Sequence, residues 1–196
     1  MLDIVLGSAL AIAALPVMAA CAVAVCISLR TWHPFFFQQR VGRGGRLFTL
    51  PKLRTLPPDA PRSIDKYALS AVRTTRVGRF LRRTHLDELP QLILVPIGVM
   101  SLVGPRPEMP WLLASYDPAF VAARSTVRPG CTGLWQIGPD ASRLIGEVPE
   151  YDLYYLTHMG LHLDVWIICR SALMIATGRR YAKPDVRARA GSSPWK

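Results

Sequence analysis

The chain has 196 residues, 51% of them hydrophobic, and carries 24 lysines and arginines against 13 acidic residues, a formal net charge of +11. That length builds one domain with its own core and hardly two. A positive mean hydropathy in so basic a chain speaks against a polar nucleic-acid binder, and no zinc spacing, RNA-binding aromatic signature or long basic helix occurs.

The combination suits apolar segments held in lipid and a basic remainder facing anionic headgroups or anionic substrates. Cys21, Cys26, Cys131 and Cys169 form no CxxC and no metal-site spacing. They read as reduced, packed apolar side chains of a protein facing a reducing compartment.

From Ile4 to Leu29 no residue is charged. As one straight helix this run would reach ~39 Å, against ~30 Å of hydrocarbon. It is long for a signal peptide, and Asp3 stands where a signal would carry positive charge. Pro16, near its middle, removes a helical hydrogen bond and favours a kink, which divides the run into halves of ~18 Å. A kinked span and a re-entrant hairpin are both open on these residues. Arg30, Arg40, Arg43 and Arg46 follow, and by the positive-inside rule they keep the downstream chain in the cytoplasm under either reading.

His33 to Leu50 reads as two short strands around the glycine-rich turn Val41-Gly42-Arg43-Gly44-Gly45. Leu56 to Lys66, with three prolines, reads as a mobile loop. Thr75 to Arg83 predicts a short basic helix, and a second helical pattern starts near Thr84, limited by Pro90 and Pro96. Ser101 to Pro107 reads as a rigid turn in which two prolines flank Arg106. Glu108 to Val127 predicts helix with breaks or starts at Pro110 and Pro118. Thr132 to Gln136 reads as loop or short strand, and helix resumes from Val148. Val165 to Thr177 suits a helix lying in the interface or buried in the domain. The basic tail after Gly178 reads as flexible or resting on headgroups.

Asp87 and Glu88 are adjacent at the start of the second helical pattern. Thr84-x-x-Asp87 is also a capping-box pattern, so the acids would equally serve as helix caps. Their setting among Arg82, Arg83 and Arg106 points to diphosphate chemistry. A carboxylate can hold a hard cation, arginines can clamp phosphate oxygens, and a carboxylate facing phosphorus can act as a nucleophile.

Three segments carry a resemblance: Arg82 to Leu92 with its Leu86-Asp87-Glu88-Leu89-Pro90-Gln91 core, Met100 to Pro107, and Arg128 to Gln136. They are joined by Gln39-Arg40-Val41-Gly42, Lys52-Leu53-Arg54-Thr55 and Asp152-Leu153-Tyr154-Tyr155. From about Asp3 to Ala176 the chain resembles the bacterial sugar transferase family, the small monotopic phosphoglycosyl transferases that begin glycan assembly on polyprenyl phosphate.

The resemblance implies an α+β, mostly α fold. Its parts would be a re-entrant membrane helix over 1–30 bending at Pro16, a small β-hairpin, and interfacial amphipathic helices around a compact catalytic domain over 31–178. A basic tail over 179–196 completes the expected organisation. The chain would sit on the cytoplasmic face of the bacterial inner membrane.

The resemblance also implies transfer of a sugar-1-phosphate from a UDP-sugar to undecaprenyl phosphate by a ping-pong reaction with release of UMP. Asp87 would be the nucleophile, and Glu88 with Mg2+ would organise the diphosphate, Asp87 and Glu88 being the candidate metal ligands. Arg54, Arg82 and Arg106 match basic or phosphate-contacting positions, and Asp152 an acidic position near the site. Membrane lipids are expected partners, nucleic acid is not, and a dimer is among the oligomeric states left open.

Departures from the family pattern are Val99 in place of aspartate, Leu15-Pro16 in place of Ser-Pro, and Ile137-Gly138-Pro139-Asp140 after Trp135-Gln136. Val99 is the main clue for the competing reading, a catalytically impaired membrane-anchored scaffold of the same fold.

Overall fold

The computed structural model describes residues 2–57, 74–181 and 186. The loop expected over Leu56–Lys66 falls outside them beyond residue 57, as does the expected tail beyond residue 181, Val186 apart. Strands β1 (Phe35–Val41) and β2 (Leu47–Leu53) form a two-stranded hairpin as expected. Its turn holds a single 3-10 turn at Arg43–Gly45, where Gly44 and Gly45 both take positive φ. The contacts divide the chain into two compact units, residues 1–38 with 49–96 and residues 39–48 with 97–196.

In the first unit, helix α1 (Leu2–Leu29) runs through Pro16 as one 28-residue helix. It is long and apolar enough to cross a membrane by length and composition. Of its residues whose burial is described, Gly7 and Val25 are buried, and Ser8, Ala11, Ala14, Met18, Cys21 and Ala22 are among the half-buried ones. The spacing follows helical periodicity, and 18 residues are five full turns, so Gly7 and Val25 lie on one face. Gly7 touches Val95, close enough that a Cβ would come within 2.5 Å of Val95 Cγ1. Val25 packs with Leu53 and Leu81, flanked by Cys21, Leu29, Phe35, Val77 and Leu86. The opposite side of α1, including Ile4, Val5, Ile12, Leu15, Val23 and Ile27, is exposed.

Helix α2 (Arg76–Thr84) starts at an N-cap, where the Thr75 hydroxyl accepts from Gly78 N–H at 3.0 Å. It ends at His85, whose φ of 57° is left-handed. The chain then enters a 3-10 helix, Leu86–Leu94. Thr84 is the last residue of α2, and its hydroxyl donates back to Phe80 O at 2.8 Å. The capping box expected between Thr84 and Asp87 is therefore replaced by a helix C-terminus and a left-handed residue.

The second unit is built on a short parallel pair, β3 (Ser101–Val103) and β4 (Gly130–Thr132), in the register Ser101↔Gly130 and Val103↔Thr132. Parallel strands need a long crossover. Here it contains α3 (Pro110–Leu113) and α4 (Pro118–Arg124), each with its proline in the first turn, where the missing N–H costs nothing. The sequence predicts a turn throughout Ser101–Pro107 and loop or short strand over Thr132–Gln136. The structure instead puts strand at 101–103 and 130–132, and helix α5 at Leu134–Ile137. Gly130 is required at this pairing, because a Cβ there would collide with Gly104 N. Helices α6 (Glu150–His158) and α7 (Leu161–Thr177) complete the unit. Its core includes Phe120, Trp135, Ile137, Ile145, Val148, Tyr151, Leu163 and Ile167.

Candidate active site

In the first unit Asp87 and Glu88 lie in the first turn of the 3-10 helix and are half-buried. Lys52, one residue before the end of β2, donates from Nζ to Glu88 Oε1 at 2.7 Å. Arg82, on the last turn of α2, donates from Nε to Thr55 Oγ1 at 2.7 Å. Burial lowers the Arg82 guanidinium pKa, and the nearby Asp87 carboxylate partly offsets this. Two carboxylates are thus set beside an ammonium and a guanidinium.

Arg54 also belongs to this unit. Its guanidinium donates to His33 O at 3.0 Å and Phe35 O at 3.3 Å, tying the chain after β2 to the entry of β1.

In the second unit Arg106 sits in a turn whose backbone is held residue by residue. Gly130 N–H donates to Pro105 O at 2.9 Å, Arg124 Nη2 to Arg106 O at 2.7 Å, Arg40 Nη1 to Pro107 O at 3.1 Å, and Val41 N–H to Glu108 O at 3.0 Å. From Leu102 to Met109 every residue is buried except Arg106. A small open cleft of about 20 Å³, room for roughly one water molecule, is lined by Arg106, Arg124, Gly42, Ser125, Pro105 and Pro129, among others.

Asp152 is only 4% exposed. Arg124 Nε and Nη2 both reach its Oδ2, at 3.0 and 2.9 Å. Burial raises the Asp152 carboxyl pKa, opposed by Arg124 and reinforced by Glu108. The carboxylate is enclosed with the arginine that pairs with it. Glu108 and Arg40 form a second buried pair at 3.8 Å.

Sequence reasoning passed over Lys52, Arg124, Arg40 and Glu108 as site residues. Lys52 had a usable signal, since it stands two residues from Arg54 in a strand-like stretch opposite the buried Leu53. Arg124 had none, being a single basic residue in a helix's last turn, where the dipole alone would explain it.

Among the described residues no group of three or more His, Cys, Asp or Glu side chains is placed to hold a metal ion. Asp87 and Glu88 carry adjacent carboxylates, the kind of oxygen donor that a magnesium ion would take. That ion takes oxygen ligands, commonly one or two carboxylates with substrate phosphates and water completing the shell.

The bacterial sugar transferase family model matches residues 1–178. The chain is 37% identical over 165 residues to the UDP-N-acetylgalactosamine-undecaprenyl-phosphate N-acetylgalactosaminephosphotransferase of Aeromonas hydrophila, covering 80% of this chain and 39% of that protein. It is 38% identical over 168 residues to the UDP-glucose:undecaprenyl-phosphate glucose-1-phosphate transferase of Xanthomonas campestris pv. campestris, covering 79% and 34%. A protein of that same name from Caulobacter vibrioides is 36% identical over 190 residues, covering 90% of this chain and 68% of its own length. The chain therefore spans well under half the length of the first two relatives.

Proposed function

The chain belongs to the bacterial sugar transferase family, and from that premise we propose that it moves a sugar-1-phosphate from a UDP-sugar to undecaprenyl phosphate, opening a glycan assembly at the membrane. The observation that carries this reading is the pair Asp87 and Glu88 at the head of the 3-10 helix, with Lys52 on Glu88 and Arg82 beside Asp87. Nucleotide-sugar chemistry at phosphorus rests mainly on positioning and charge neutralisation.

In the proposed reaction an Asp87 oxygen attacks the phosphorus that bears the sugar. The bond to the bridging oxygen breaks, and UMP leaves with both electrons of that bond. An oxygen of polyprenyl phosphate then attacks the same phosphorus, forming the polyprenyl diphosphate sugar and returning Asp87 as carboxylate. Glu88, held by Lys52, shapes the anionic side of the site, and Arg82 contacts phosphate oxygens, a role that the family match also gives Arg106. Magnesium, when bound to Asp87 and Glu88, neutralises diphosphate charge.

The membrane part of the proposal is a re-entrant α1 with both ends on the cytoplasmic face. Its support is that one stripe of α1 packs within the first unit from Gly7 in one half to Val25 in the other. Pro16 lies on the exposed side.

The test is UMP release by the full chain in lipid nanodiscs, with Mg2+, undecaprenyl phosphate and a panel of UDP-sugars. Release that needs Asp87, and exchange of labelled UMP into UDP-sugar without acceptor, are the expected results. Acceptor-dependent release that survives Asp87→Asn would refute the covalent step. Absence of release with every donor would favour the scaffold reading.

A further inference from the structure

The buried charges of the second unit form a set that no step of the proposed chemistry uses directly. Arg40, Glu108, Arg124 and Asp152 are each 6% exposed or less. Two cations and two anions buried together cost several kcal/mol of desolvation per ion, repaid only with good geometry and further hydrogen bonds. Here further hydrogen bonds from both arginines meet on adjacent carbonyls. After Arg124 has bound Asp152 it still donates to Arg106 O, and Arg40 donates to the next carbonyl, Pro107 O.

The flanking residues point the same way. Pro105 and Pro107 restrict their own φ angles and leave the turn few backbone states. Backbone N–H groups of Gly130 and Val41 take the outer carbonyls, those of Pro105 and Glu108. The inner two receive the two buried guanidiniums. The side chain at the centre, Arg106, is the one residue of the stretch that reaches solvent, at the cleft it shares with Arg124. Lysine in either arginine's place would keep the charge but lose the fork that binds two partners at once.

We propose that Arg124 and Arg40 are positioning residues that fix the Arg106 guanidinium by holding the Arg106 and Pro107 carbonyls, and that Asp152 acts only through Arg124. The proposal rests on the reading that Arg106 contacts substrate phosphate. It reassigns Asp152 from a substrate-side acid to the anchor of Arg124.

The experiment is a two-by-two cycle of wild type, Arg124→Lys, Arg106→Ala and the double variant, each as the full chain in nanodiscs. UMP release and deuterium uptake of the peptide covering Val103–Glu108 are read on the same preparations. Misplacing a phosphate-binding group by an ångström costs about 100-fold in rate, so Arg124→Lys is expected to lower kcat by about that factor with a smaller change in KM. In the Arg106→Ala background the same change should cost less than about threefold, because groups acting as a unit are not additive. Deuterium uptake should rise at the 103–108 peptide.

Losses that multiply in the double variant, or unchanged uptake at that peptide, overturn the proposal. Where Arg124→Lys raises uptake across the whole unit, Arg40→Lys, which loosens the Pro107 carbonyl, decides by the same two readings. If wild type itself releases no UMP, the transferase reading fails, and the uptake arm still upholds or overturns the positioning.

Discussion

The ion pair between Lys52 and Glu88 is the most direct handle on the dyad, and its strength can be worked from its geometry. The charged atoms are 2.7 Å apart, and the side chains are 14% and 19% exposed. At an effective dielectric of about 20 the gross attraction is about 6 kcal/mol. Desolvation of two half-buried ions takes back most of it, and the net falls between the ~0–1 kcal/mol of surface pairs and the ~3–5 kcal/mol lost when a buried pair is broken. About 2 kcal/mol is the expectation for Lys52→Met, a shift of about 4–8 °C in Tm for a chain of this size. Glu88→Gln should cost less, because its amide still accepts from Lys52. The double variant should recover at least about 1 kcal/mol relative to the sum of the two. The assay is thermal unfolding in matched detergent, with UMP release followed in parallel. A coupling below about 0.3 kcal/mol would show that the pair contributes nothing beyond its separate members, and the argument that Lys52 holds Glu88 would fail.

Asp87→Asn should remove acceptor-dependent UMP release by at least about 10³-fold with little change in Tm, as expected for loss of a nucleophile. A chelator should stop release by wild type, and added Mg2+ should restore it; turnover undiminished in excess chelator would remove the ion from the proposal. Gly7→Ala should cost about 1–3 kcal/mol by overpacking against Val95, and Val95→Ala should recover part of that loss, as read by thermal unfolding. A cysteine placed at Val5 and one placed at Trp32 should both react with a membrane-impermeant maleimide from the cytoplasmic side of sealed vesicles; labelling of the first only from the opposite side would establish a span.

Much of the fold was legible because it is written in local patterns. The uncharged run from Ile4, the strands around Gly42–Gly45 and the helix starts at Pro110 and Pro118 each follow from a period, a turn residue or a fixed φ. The parallel pairing of β3 with β4 was not legible, since three-residue strands about 30 positions apart have no periodicity of their own. The break between the two helical patterns near Thr84 was legible too, but the form it takes at His85 was not. Thr84 and Asp87 satisfy a capping pattern that a left-handed residue between them overrides. At the site, the dyad and Arg106 could be found from charge spacing and resemblance. Arg124 and Arg40 could not, because their importance lies in which carbonyls they reach, and only the folded backbone brings those carbonyls to them.

Val99 bears on the choice between enzyme and scaffold. An acid at that position would matter if it were needed to hold a cation of the site or to brace the turn bearing Arg106. Among the described residues, other acids engage three of the cations and other donors brace the turn. Lys52 is engaged by Glu88, Arg124 by Asp152 and Arg40 by Glu108, and the four carbonyls from Pro105 to Glu108 each have a donor. Val99 itself is half-buried beside the fully buried Met100 and follows Gly98 with its positive φ, a setting in which an apolar side chain adds contact area. Val99→Asp is therefore expected to change UMP release by less than about threefold, within the ~0.5 kcal/mol typical of sites away from buried networks. A gain of 10-fold or more would mean that the missing acid limits the enzyme, and that the scaffold reading was partly right about the chain as it stands.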